Sequence, residues 1–184
     1  MGVYERFERT SCDCERCKAP CRVAPGFLGV GDLDRLQIEL KIPSAEFDQW
    51  AREHLAAGDG RKVAHKGQVF VCPVIVPQQF EGVGHCAFFQ GDQCTVHAAK
   101  PIGCSHQSQC EPEAGEGAVR LALLEVAEEW LRVERGGQSN YAAMWNFLAL
   151  AGRNALPTRT RNELLSNELE RVRKAAREAQ GNPQ

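Results

Sequence analysis

HCAFFQGDQCTVHAAKPIGCSHQSQC, residues 85–110, holds four cysteines and three histidines in 26 residues. A second cysteine-rich stretch stands near the N-terminus, where Cys12, Cys14, Cys17 and Cys21 fall within ten residues. The two stretches are read as converging on a metal or iron–sulfur centre held together by the rest of the chain. The expected fold is α+β. Residues 1–112 form a small, irregular, cysteine-rich metal-binding core with a short β-hairpin. Residues 113–184 form a helical C-terminal layer packed on that core in one compact domain.

The bulk properties fit this reading. A chain of 184 residues can bury a usable core and does not need disulfides merely to fold. Its nine cysteines are an odd number, so an all-disulfide framework would leave one unpaired. The opening residues, MGVYERFERTSCDC, hold no apolar stretch of the secretory kind, and a cytoplasmic setting is expected. There thiols stay reduced, and clustered cysteines serve metals or catalysis more often than bridges. The longest apolar run, about Val69 to Val76, is far short of the roughly 20 residues a membrane span needs. A net charge of −2 gives no general attraction to nucleic acid or to anionic membranes.

Residues 1–11 read as a charged lead-in and Val23 to Val30, with Pro25, Gly26 and Gly29, as loop. Asp32 caps a short helix to about Leu40, and Pro43-Ser44 opens another to about Ala57, followed by a turn at Gly58-Asp59-Gly60. Gln68 to Val76 is rich in Val, Ile and Phe and reads as a strand, with Pro73 marking an edge or a bulge. Cys86 to Phe89 and Cys94 to His97 are expected as two short strands joined through Gln90 to Gln93, bringing Cys86 and Cys94 together. Pro101 and Gly103 then turn Cys104 back toward them. Three helices follow an acidic link, at about 118–134, 139–152 (opened by Ser139) and 158–179, and residues 180–184 are expected to fray.

Cys14-Glu-Arg-Cys17 is the recurring two-thiolate ligand unit, because the turn between the cysteines aims both sulfurs one way. Cys21 adds a third ligand for little loop-closure entropy, and Arg16 and Lys18 offset thiolate charge. The spacing is neither that of the radical-SAM loop nor that of bacterial ferredoxins. Cys12, Cys110 and His106 are accessory ligand candidates. Cys72 in its apolar strand reads as a buried small hydrophobe. His97 is assigned to a hairpin strand, His54 and His65 to the surface, and His85 to the surroundings of Cys86. The basic side of the last helix, interleaved with Glu168, Glu170 and Glu178, reads as a solvated face.

The motif Cys86-x-Phe88-Phe89, then Cys94-x-Val96-His97-x-x-Lys100-Pro101-x-x-Cys104, resembles the hallmark of the YkgJ-type cysteine-cluster proteins, a zinc- or iron-chelating domain family. Cys14, Cys17 and Cys21, then Pro25-Gly26 and Asp32-Leu33-Asp34, resemble that family's N-terminal half, so the likeness covers roughly residues 12–110. It departs where the family doubles its cysteine, since Cys21 stands alone between Pro20 and Arg22, and where Lys100 stands for an arginine. The resemblance implies Cys14, Cys17, Cys21, Cys86, Cys94 and Cys104 as the ligand set. Six thiolates exceed one tetrahedral zinc, and four thiolates suit zinc and a cluster alike; the resemblance implies an iron–sulfur cluster, [4Fe–4S] first, with Zn2+ as the alternative. With Cys12, Cys72 and Cys110 the chain has enough thiols for two four-ligand sites. No serine–histidine–acid set or phosphate loop stands out, so catalysis, if any, works through the metal. The corresponding functions are redox chemistry or protein modification, or else a zinc-binding module that meets a protein partner.

Overall fold

The computed structural model describes Phe7 and residues 14–65, 67–80, 85–106 and 108–180. Cys12, the rest of the lead-in and residues 181–184 lie outside the described residues. Helix α1 spans Glu15–Val23, α2 Asp32–Glu39 and α3 Phe47–His54. A long hairpin follows, β1 Leu55–His65 and β2 Gln68–Pro77, and then a small one, β3 Phe89–Gln90 and β4 Gln93–Cys94. A 3-10 turn at His97–Ala99 leads to α4 Ile102–Ser105, and another at Pro112–Gly115 leads to α5 Glu116–Glu134, α6 Asn140–Leu150 and α7 Thr158–Gln180. The fold is α+β, as expected from the sequence, and it contains a cysteine cluster.

The long hairpin is the centre of the core. Val74, Ile75 and Val76 are fully buried in succession, with α5, α6 and α3 packed on the hairpin and the Leu28 segment paired to Ile75 along its edge. Tyr141 on α6 is wedged into the Leu28–Ile75 pairing. Its hydroxyl accepts the Ile75 N–H at 2.9 Å and donates to the Leu28 carbonyl at 2.8 Å. Ser139 caps α6, accepting the Ala142 N–H at 3.1 Å, as its place before the helix suggests.

Several expected elements come out differently. The second helix stops at His54 rather than Ala57, and Leu55 to Gly60 are extended. Gly58-Asp59-Gly60 is not a turn but a bulge within β1, where the register shifts between Gly58 and Arg61. Pro73 lies opposite that bulge, between Cys72 and Val74, where its missing N–H breaks no ladder bond. Two indoles take up the carbonyls there. Trp130 donates to Pro73 O at 2.9 Å and Trp145 to Gly58 O at 3.1 Å, and their rings meet edge to face at 5.6 Å.

The small hairpin is tighter than expected. Its turn is Gly91-Asp92 alone, with φ of 54° and 65°, the two positive values of a two-residue primed turn. Cys94 pairs with Phe89, which keeps it near Cys86 as expected, and His97 sits in the 3-10 turn rather than on a strand. Within the first cysteine stretch, Glu15–Val23 is a helix, and Pro20 in it has no N–H for the helical ladder.

Candidate metal centre

Apart from Cys72, the described cysteines fall into two groups. Cys14 caps α1 and Cys17 lies one turn inside it, so both sulfurs leave the same helix end. Cys110 comes to them from the loop after α4. The Cys14 and Cys110 sulfurs are 3.4 Å apart, and the three sulfurs all lie within 4.8 Å of one another. Ser108 shapes that loop, its hydroxyl accepting the Cys110 and Glu111 N–H groups at 3.2 and 3.1 Å while meeting Cys17 Sγ at 3.4 Å. Arg16 ties the two sides, donating to Gln109 O at 3.2 Å. A tetrahedral ion with bonds of about 2.3 Å to sulfur holds its thiolates roughly 3.8 Å apart. Cys14, Cys17 and Cys110 are thus close enough together to bind a metal.

Cys21, Cys86, Cys94 and Cys104 form the second group. They are near enough that the charge of one thiolate would raise the proton affinity of its neighbours in every pairing among the four. Their arrival is set by backbone contacts. The Cys86 N–H donates to Cys21 O at 3.1 Å, joining α1 to the start of the small hairpin. The Gly103 N–H donates to Phe27 O at 3.0 Å. At this crossing a Cβ on Gly26 would fall 2.1 Å from the Gly103 carbonyl carbon, and one on Gly103 would fall 2.4 Å from the Phe27 nitrogen. Only glycine fits at either place, and the crossing brings Cys104 beneath the Gly26 N–H.

Amides converge on these sulfurs: Phe88 and Phe89 N–H on Cys86, Val96 N–H on Cys94, and Gly26 N–H on Cys104. Such donors favour thiolate. Burial opposes them and dominates. It pushes Cys86 up to about 12, Cys104 well above the ordinary thiol value, and Cys21 and Cys94 upward too. Lys100 pulls the other way on Cys21 and Cys94. Without a cation these thiols hold their protons at neutral pH, and a metal would have to displace them.

A buried carboxylate that the sequence suggested only as a helix cap holds this arrangement. Asp32 is fully buried, and its Oδ2 accepts the Gly29 N–H at 2.7 Å and the Ile102 N–H at 2.9 Å. Its Oδ1 accepts from Arg35 at 3.1 Å, and the same guanidinium reaches the Ala98 carbonyl at 3.3 Å. One acid and one base thus clamp the backbone of residues 98–102, the link between Cys94 and Cys104.

A cavity of about 450 Å³ opens beside both groups, with Cys17, Cys21, Cys94, His97 and Lys100 on its wall. Its far rim is the small hairpin's turn, where Asp92 meets Lys18 at 2.6 Å and Arg22 at 3.0 Å. His106 is buried and has both ring nitrogens engaged, Nδ1 with Ser105 Oγ at 2.8 Å and Nε2 with Phe7 O at 3.2 Å. That removes the free nitrogen an accessory ligand would need. Cys72 is buried in β2, as expected of a small hydrophobe. His54 stacks on Trp50 and Phe88 rather than standing free.

No family model, no curated protein and no solved structure matches this chain. Among the described residues, no helix is long and apolar enough to cross a membrane.

Proposed function

We propose that this chain is an iron–sulfur protein whose cluster, [4Fe–4S] in type, is held by Cys21, Cys86, Cys94 and Cys104. The observation that carries the reading is the spread of these four thiols. They are electrostatically coupled, yet among the described residues only the Cys14 trio brings three ligand atoms within 4.8 Å. A cluster keeps its four thiolates farther apart than a single ion does, because iron atoms stand between them. Amides aimed at the sulfurs and a lysine nearby are what a negatively charged thiolate centre uses. The likeness of Cys86 to Cys104 to the YkgJ-type motif supports the same reading. With Cys21 and Cys94 on the cavity wall, one side of the centre is within reach of a partner, which suits electron transfer or a protein-modifying reaction.

The Cys14, Cys17 and Cys110 trio favours a second reading for itself, because its close spacing fits one tetrahedral zinc. If zinc filled both groups, the chain would be a structural module that meets a protein partner without catalysis. Anaerobic purification with iron, sulfide and zinc analysis separates these outcomes. The cluster reading expects a brown protein that loses its colour in Cys86→Ser and Cys104→Ser and keeps it in Cys14→Ser and Cys110→Ser. A colourless, iron-free protein with full zinc would overturn it.

A further inference from the structure

Away from both thiol groups, two arginines share a small cavity. Asp59, in the β1 bulge, holds the start of α7: its Oδ2 accepts the Thr158 N–H at 2.7 Å, and its Oδ1 accepts from the Thr158 hydroxyl. Arg161, only 2% exposed, donates to Thr158 Oγ1 at 3.1 Å and lies 3.4 Å from Asp59 Oδ1. Its Nε is buried with no partner. Arg61 comes from β1 to the same place. Its Nε is also buried and unpartnered, and among the described residues its guanidinium makes no hydrogen bond or ion pair. The two guanidiniums repel each other, and among the described residues Asp59 is the carboxylate that offsets them.

Burying a charged donor without an acceptor is costly, so structures rarely keep one for packing alone. Here the two arginines that carry these donors line a cavity of about 200 Å³ together with Ser108, Gln109, Thr158 and Asn162. The set offers the guanidinium groups of two arginines and two side-chain amides, while both hydroxyls and the nearby acid are already engaged. We infer that this cavity, formed by β1, the start of α7 and the Ser108–Gln109 loop, is a binding site for a phosphate group, free or carried on a small ester. Guanidinium forks suit it because each can give two parallel hydrogen bonds to a tetrahedral oxyanion. The inference does not depend on the metal reading, although Ser108 touches both places.

The test is calorimetric titration of the full chain with inorganic phosphate at constant ionic strength, with chloride as control and glycerol 3-phosphate as the ester. Saturable one-to-one binding of phosphate is expected, at least tenfold weaker in Arg61→Gln and unchanged in Lys174→Gln on the exposed side of α7. Tighter binding of the ester would assign the site to a phosphorylated metabolite, and equal binding to the free anion. Arg161 also anchors α7, so Arg61→Gln carries the test. Relieved of an unpaired charge, that variant should melt no lower than the parent without phosphate. Absence of saturable binding, equal affinity in Arg61→Gln, or displacement by chloride would overturn the site.

Discussion

At Gly103 a methyl group has nowhere to go, since its Cβ would stand 2.4 Å from a backbone nitrogen and 2.7 Å from the Phe27 ring. Gly103→Ala should therefore push Cys104 away from its partners. Forced overpacking of this kind costs typically 1–3 kcal/mol, and a backbone clash belongs at the upper end. Urea unfolding should show that loss, and iron content should fall several-fold, whereas Gly31→Ala, in open space, should change neither. Asp32 makes a second prediction. Burial pushes its carboxyl up to about 7, against an ordinary 3.8, even though two amides and Arg35 pull it down. Between those values the folded chain binds a proton that the unfolded chain has released. The contribution of Asp32 is thus fully present below about pH 4 and is lost as pH rises through about 7. For the metal-free protein, urea midpoints measured from pH 5 to 8 should fall with pH, and Asp32→Asn should flatten that slope. An unchanged slope in the variant would remove Asp32 as its source.

Among the elements, the helices were legible wherever their apolar stripe and caps agreed. Ser139 and the periodic Leu and Val positions gave α5, α6 and α7 nearly to the residue. β2 was legible from its Val and Ile content, and Pro73 correctly marked an irregularity. β1 was not legible, because Leu55-Ala-Ala-Gly-Asp-Gly60 carries no β-branched residue and reads as a helix end with a turn. It is extended because β2, Trp145 and the Arg153–Ala155 segment hold it there: the Ala57 N–H donates to Arg153 O at 2.7 Å, and the Ala155 N–H donates to Ala57 O at 2.8 Å. The cysteines stood out as a set, but not their partition. That depends on Cys14 and Cys17 leaving one end of α1 while Cys21 leaves further along, which only a helix imposes. Arg61 and Arg161 gave no signal at all, since two basic residues 100 positions apart meet only through the bulge and α7.

At the scale of the whole molecule, α7 runs along α1, with Arg22 bridging Glu15 at 2.7 Å and Glu168 at 3.4 Å, so the C-terminal helix braces the helix that carries Cys17 and Cys21 and has Cys14 at its start. The hairpin core and the thiol groups thus share supports rather than standing apart. The crossing of Gly26 over Gly103 has a mechanical consequence. Cys21 and Cys104 enclose 82 residues of chain, including the whole long hairpin. With a cluster bound between them, that length is fastened out of reach of a force applied at the two termini. A single-molecule pulling trace of the loaded protein should first give only the extension of the outer segments. A separate rupture should then release roughly 280 Å of contour length at the extended-chain limit of about 3.4 Å per residue. In chelated protein, the two events should merge into one.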